Sequence, residues 1–115
     1  MNVRQFRYSS DNLGYLLCGK ETAIAVDGGA TDRILDFLRD NGLELGIVTN
    51  THSHGDHTLG NDKLLRSTGA LYSSSVELAE RRGLKLEESV IDVIPTPGHS
   101  ADSVCLLCSG ILLSG

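Results

Sequence analysis

Apolar residues in this chain fall in short blocks separated by glycine, proline and polar turns, and the blocks switch between two periodicities. Residues 4–8 read as an edge strand, and residues 13–18 and 22–26 as stronger strands. Gly19-Lys20-Glu21 between the latter two predicts a hairpin, and the second strand ends at Asp27-Gly28-Gly29. Over residues 31–41 the period becomes helical. Ile34, Leu35 and Leu38 form one apolar face, Thr31 or Asp32 can cap the start, and Gly42 is a natural stop. Residues 46–49 read as a buried strand, followed by a polar loop over residues 50–60. A short helix is expected from about Asn61-Asp62 to just before Gly69, then a strand at residues 70–72. A helix over residues 75–82 has Ser74 or Ser75 as cap and Gly83 as stop. Residues 90–94, 104–108 and 111–113 complete the strands, with a tight loop over residues 95–100. This order predicts a mixed, layered α/β or α+β domain. The last strand stops mid-pattern, which suggests a piece of something longer.

Composition narrows the function classes. A length of 115 residues allows one domain. With 40% hydrophobic and 22% charged residues, intrinsic disorder is not expected. A net charge of −5 gives no basic footprint for nucleic acid or for an anionic membrane surface. No apolar run approaches the roughly 20 residues of a spanning helix. No apolar stretch follows Met1, so no secretory signal is expected. Three cysteines are too few for a disulfide framework and predict reduced thiols in a cytoplasmic protein. Cys105 and Cys108 are spaced C-x-x-C, but on a strand residues three apart point to opposite faces. Both, like Cys18, read as small buried hydrophobes.

The histidines carry the chemistry. Three lie within Thr51-His52-Ser53-His54-Gly55-Asp56-His57, and the fourth, His99, sits in Pro97-Gly98-His99-Ser100 after another strand. His52 and His54 follow a strand and can project to the same side while the backbone stays extended. Asp56 and His57 lie past a glycine, where the chain can turn toward a second position. His99 can complete a three-histidine set with His52 and His54. Imidazole and carboxylate donors suit Zn²⁺, Fe²⁺ or Mn²⁺, and three protein ligands with an open position are the pattern of a catalytic metal. Solvated loop histidines or a metal-scavenging tract are the plainer readings. They fit poorly with strands on either side and a distant Pro-Gly-His. Asp27 reads either as a partner of a ligand histidine or as a turn-forming residue. Ser100 and Asp102 beside His99 do not make a catalytic triad, because adjacency in sequence does not give triad geometry.

Residues 51–57 together with Thr96-Pro97-Gly98-His99-Ser100 resemble the metallo-β-lactamase superfamily, and within it the hydroxyacylglutathione hydrolase (glyoxalase II-like) branch. Residues 11–16, 26–29 and 112–115 resemble other parts of the same pattern, so the likeness runs over nearly the whole chain. The resemblance implies an α+β fold, a four-layer αβ/βα sandwich with metals at one edge of two facing sheets. The chain would supply its N-terminal half. It also implies that His52, His54 and His99 hold a first metal and that Asp56 and His57 belong to a second. The family's bridging aspartate would follow Gly115, so five of seven expected ligands are present. The second metal should therefore bind poorly or not at all.

The resulting expectation is a metal-dependent hydrolase that uses a metal-activated water on a thioester or related acyl substrate. One or two Zn²⁺ ions are expected, with Fe²⁺ or Mn²⁺ as alternatives, and Asp56 is placed to orient the nucleophile. The alternatives are a mononuclear iron sulfur dioxygenase of the same fold and a non-catalytic metal-binding half-domain. The expected partner is a small-molecule substrate, with no nucleic acid and no membrane. A half-sandwich should also expose an apolar sheet face around Leu16, Ile24, Val48 and Leu106, through which copies would associate.

Overall fold

The strands divide into two sheets, and burial along the chain changes with the division. The structure, a computed structural model, describes residues 1–9, 12–52, 60–97 and 102–114. The first sheet has the order β1-β2-β3-β4-β5, with β1 at Asn2–Tyr8, β2 at Asn12–Cys18, β3 at Thr22–Val26, β4 at Glu44–Thr49 and β5 at Leu71–Tyr72. β1, β2 and β3 are antiparallel neighbours, whereas β3, β4 and β5 run parallel. Parallel neighbours need crossovers. Helix α1 (Thr31–Asp40) lies in the first, and α2 (Asn61–Thr68) lies in the second. Helix α3 (Ser75–Arg81) then leads into the second sheet, an antiparallel meander of β6 (Gly83–Leu86), β7 (Ser89–Pro95), β8 (Val104–Cys108) and β9 (Ile111–Leu113).

Two apolar layers result. Leu17, Ile24 and Val26 face the second sheet and pack with Leu78 of α3 and with Leu84, Ile91, Val93 and Leu106. Their sequence neighbours Leu16 and Ala25, with Val48 of β4, face the other way, onto Ile34 and Leu38 of α1 and Leu64 of α2. Each fully buried leucine or isoleucine contributes about 2 kcal/mol by leaving water. Strands β2 and β3 are thus covered on both sides, which explains their unbroken apolar runs. β7 instead alternates, with Ile91 and Val93 inside and Val90 and Ile94 exposed.

This arrangement corrects the expected apolar patch. Leu16, Ile24, Val48 and Leu106 are all buried. Ile24 and Leu106 are covered by the opposite sheet, and Leu16 and Val48 by the helices. The exposed large hydrophobics include Val90, Ile94 and Leu112 of the second sheet instead. Helix α1 differs in its start: its N-cap is Ala30, without a side-chain cap, and the Thr31 hydroxyl turns back to the Gly28 carbonyl at 3.3 Å. Ser74, rather than Ser75, caps α3, in a reciprocal bond pattern with Glu77. Gly83 does more than stop that helix, because it opens β6, a strand with no counterpart in the sequence reading. Cys108 is buried between the sheets, and Cys105 is half-buried across the strand, as the C-x-x-C spacing on a strand requires. Burial pushes the Cys18 and Cys108 thiols up from their ordinary value. Among the described residues, no helix is long and apolar enough to cross a membrane.

At one end of the sandwich a single carboxylate joins the sheets. Glu87, in the β6–β7 turn, accepts the backbone N–H groups of Lys20, Glu21 and Thr22 at 2.9–3.0 Å, and the Thr22 hydroxyl at 3.0 Å. Lys20 and Glu21 lie in the β2–β3 connection, and Thr22 opens β3. The backbone donors hold the Glu87 carboxyl down at about 2.

Candidate metal centre

The C-terminal ends of β3 and β4 point to the opposite end of the sandwich, where open parallel sheets place their ligands. Asp27 follows β3, and Asn50, Thr51 and His52 follow β4. Asp27 is 0% exposed and has a left-handed backbone at φ 55°, a conformation aspartate tolerates better than most residues. Its carbonyl passes so close to Gly14 that a Cβ there would collide with it.

The Asp27 carboxylate is spent on the chain that leads into the histidine motif. One oxygen accepts the Thr51 N–H at 3.0 Å and the Asn50 side-chain amide at 3.3 Å. The other accepts the Thr51 hydroxyl at 2.8 Å. The same hydroxyl oxygen lies 3.1 Å from Nδ1 of His52, which is 5% exposed. Thr51 has one hydroxyl proton, and it goes to Asp27. Its oxygen therefore accepts from Nδ1, which puts the ring proton there and makes Nε2 the lone-pair nitrogen. Such an arrangement is how a carboxylate commonly orients a metal-binding imidazole, here with a threonine interposed. A buried imidazole fixed in this tautomer fits a divalent cation of the zinc or iron type. Of the two readings of Asp27, the geometry favours the partner of a histidine, reached through Thr51.

The chain is tied on either side of both histidine-containing segments. Asn61 Nδ2 donates to Asn50 Oδ1 at 2.8 Å, and Asn50 Nδ2 donates back to Asn61 Oδ1 at 3.4 Å, which closes the ends of the segment between 52 and 60. Gly60 completes that closure at φ 88°, where an added Cβ would run into the Thr31 hydroxyl. Across the sheets, Val104 N donates to the Thr51 carbonyl at 2.7 Å, and Thr96 N donates to the Ser103 carbonyl at 2.9 Å. Thr96 and Ser103 are thereby joined, and Val104 is fastened beside Thr51. Asp102 accepts the Ser75 hydroxyl at 2.8 Å. Near Asp27, burial and then that carboxylate push the Tyr15 phenol above its ordinary value.

Of the predicted ligands, His52 lies among the described residues. His54, Asp56, His57 and His99 lie outside them. Among the described residues no three histidine, cysteine or acidic side chains form a metal-binding group. Thr51, Asn50 and Asn61 were not singled out in the sequence. The available signal was their place immediately beside the histidine segment.

Comparison with known proteins agrees with this geometry. The model of the metallo-beta-lactamase superfamily matches residues 12–85. The hydroxyacylglutathione hydrolase of Anaeromyxobacter dehalogenans is 35% identical over 119 residues, covering 95% of this chain and 47% of that protein. The enzyme of the same name from Francisella tularensis subsp. novicida is 32% identical, over 84% of this chain and 42% of its own. The chain thus spans about half the length of these curated relatives. Among solved structures, ETHE1 from Myxococcus xanthus superposes with a TM-score of 0.85 and 26% identity, over 97% of this chain and 56% of that one. A metallo-beta-lactamase from Staphylococcus aureus subsp. aureus COL gives 0.79 at 21% identity, over 96% and 39%, a likeness of fold alone. On the match over residues 12–85, with two facing sheets and a buried, oriented His52 at their edge, the chain belongs to the metallo-β-lactamase superfamily.

Proposed function

We propose that this chain carries the metal-binding part of a metal-dependent hydrolase that cleaves a thioester or related acyl substrate. The observation that carries the reading is the Asp27–Thr51–His52 series, which fixes a buried imidazole at the head of H-x-H-x-D-H. The relatives named hydroxyacylglutathione hydrolase support the substrate class.

In this reading His52, His54 and His99 hold a first zinc or iron ion, and Asp56 and His57 contribute to a second. The chemistry a divalent cation held by these residues would supply is activation of water near neutral pH and polarisation of an acyl carbonyl. The chain's own residues supply the positioning. Asp27 fixes Thr51, and Thr51 holds the proton on Nδ1 of His52, so that Nε2 is presented in one orientation. Asn50 and Asn61 hold the two ends of the segment that carries His54, Asp56 and His57. Asp56 orients the attacking water. A thiolate leaving group needs little protonation, so the site needs no dedicated general acid.

A second reading, oxygen-dependent sulfur oxidation at a single iron, fits the likeness to the Myxococcus xanthus ETHE1 protein. Elemental analysis of the chain purified without chelators tests the metal reading, with His52→Ala and His99→Ala as controls. About one zinc or iron per chain, lost in both variants, is expected. Metal content equal to that of the variants would overturn it. Thiol release from a hydroxyacyl thioester by the zinc-loaded protein supports hydrolysis. Oxygen uptake that requires iron would instead favour the second reading.

A further inference from the structure

We propose that the turn leading into β3 is a carboxylate-binding site, which the chain fills with its own Glu87 and which takes a small external carboxylate when that side chain is withdrawn.

The cradle matches a carboxylate in shape. One Glu87 oxygen accepts the Lys20 N–H at 2.9 Å. The other accepts the Glu21 N–H at 2.9 Å, the Thr22 N–H at 3.0 Å and the Thr22 hydroxyl at 3.0 Å. Successive backbone N–H groups that converge in this way form a concave anion site. Gly19 is its floor. A Cβ built there would stand 2.5–2.6 Å from the carboxyl carbon and from both oxygens of Glu87. The carboxylate therefore lies face-on over this residue, and a larger side chain at position 19 would take its place.

Glu87 is a ligand of this cradle and not part of its frame. The Gly19 N–H donates to the Thr22 carbonyl at 2.8 Å, and the Glu44 N–H donates to the Glu21 carbonyl at 2.9 Å. Those bonds fix the peptide groups of the turn without any help from Glu87. The glutamate itself comes from the other sheet, on a backbone at φ 55° that disfavours a side chain. Its bonds offset that strain, and the donors favour its ionised form, which is the form an external carboxylate would offer. A cleft of about 460 Å³, whose lining includes Asn2, Gly19, Lys20, Glu87 and Ser89, opens beside the cradle and gives a small anion access from solvent. Covalent attachment gives Glu87 a high effective concentration, so a free carboxylate enters only once that side chain is gone.

The test compares thermal melting of the 115-residue wild type and Glu87→Gly in sodium acetate and in sodium chloride, at equal ionic strength and neutral pH. Glycine suits the left-handed backbone at position 87, so this variant empties the cradle without adding strain. In about 0.2 M acetate Glu87→Gly should melt about 3 °C higher than in chloride, beyond any difference the wild type shows. Its Lys20, Glu21 and Thr22 amide resonances should shift and saturate, with half-saturation on the order of tens of millimolar, as expected for so small a ligand. The same resonances of the wild type should not respond. Adding Gly19→Ala to Glu87→Gly puts a methyl group where the carboxylate lies and should abolish both effects. An acetate effect equal in wild type and Glu87→Gly would overturn the proposal, because it would be a general effect of the salt. An effect that survives Gly19→Ala would overturn it too, by placing the acetate elsewhere. If Glu87→Gly does not fold, Glu87→Gln replaces it in the titration, since a neutral amide is a weaker occupant that acetate displaces. Saturable shifts at Lys20–Thr22 then support the proposal, and their absence overturns it.

Discussion

Glu87 and Asp27 each fasten two parts of the sandwich with one carboxylate, at opposite ends and by opposite means. Glu87 is at the surface and draws on three successive backbone N–H groups, with one hydroxyl added. Asp27 is fully buried and draws on Thr51 through both backbone and hydroxyl, and on the Asn50 amide. Backbone donors are present whatever side chains occupy positions 20 and 21, so the Glu87 end joins the sheets mechanically. The Asp27 end depends on which side chains are there, and through the Thr51 hydroxyl it reaches the ring of His52. Precise orientation is concentrated at the end where the buried His52 sits.

The sharpest way to break that contrast is Asp27→Asn. Asparagine tolerates the left-handed backbone at this position, so the change isolates the carboxylate. One oxygen becomes an N–H donor facing the donors of Thr51, and a buried bond is lost or reversed. We expect unfolding in urea to show a loss of about 2–3 kcal/mol. Zinc affinity should fall by about 10-fold or more in the protein that remains folded. A stability loss with unchanged affinity would mean that Asp27 is a fastening of the Glu87 kind, without a role in orienting His52.

Glu87→Gln should have a smaller effect, confined to stability, with zinc affinity unchanged. Its pH dependence has a definite sign. The folded carboxyl lies at about 2, below its ordinary 4.5. A depressed acid contributes stability above the unfolded value and loses it as pH falls through the folded one. At neutral pH the variant should melt below wild type. Between pH 4.5 and about 2 the wild type should fall toward it, and the gap should close. A gap that stays constant over that range would show that the Glu87 bonds do not depend on its charge.

Much of this architecture is legible in the sequence, and the illegible parts share a cause. Period and punctuation give α1, α2, α3 and the β2–β3 hairpin. They miss β6, because Leu84 and Leu86 around Lys85 make an alternation of only four residues beside a helix stop. The runs through Tyr15–Cys18 and Ala23–Val26 do signal burial on both faces. What hides is the identity of the covers: a facing sheet and two helices, all supplied by this chain. The exposed patch expected around Leu16, Ile24, Val48 and Leu106 fails for that reason. At the site, H-x-H-x-D-H and Pro-Gly-His are visible as local spacing. The bonds of Asp27 to Thr51, and of Ser75 to Asp102, join residues more than twenty positions apart. No local pattern could pair them, and only the folded chain brings them together.

The smallest expected effect concerns Thr49, at the end of β4 two residues before Thr51. Val48 packs on the helices, so Thr49 lies on the opposite face, with Ile47, toward the second sheet. It is fully buried, and among the described residues its hydroxyl has no hydrogen-bond partner. A buried hydroxyl without a bond costs about 1 kcal/mol or more, and valine has nearly the same shape without that cost. Thr49→Val should therefore raise the melting temperature by roughly 3–5 °C. Its backbone carbonyl still accepts the Asp27 N–H in the variant, so the series that orients His52 is kept. Zinc affinity should accordingly stay at the wild-type value. A variant that melts lower would show that the hydroxyl is bonded in solution. A variant that melts higher and binds zinc more weakly would place Thr49 with Asp27 among the groups whose stability is traded for the site.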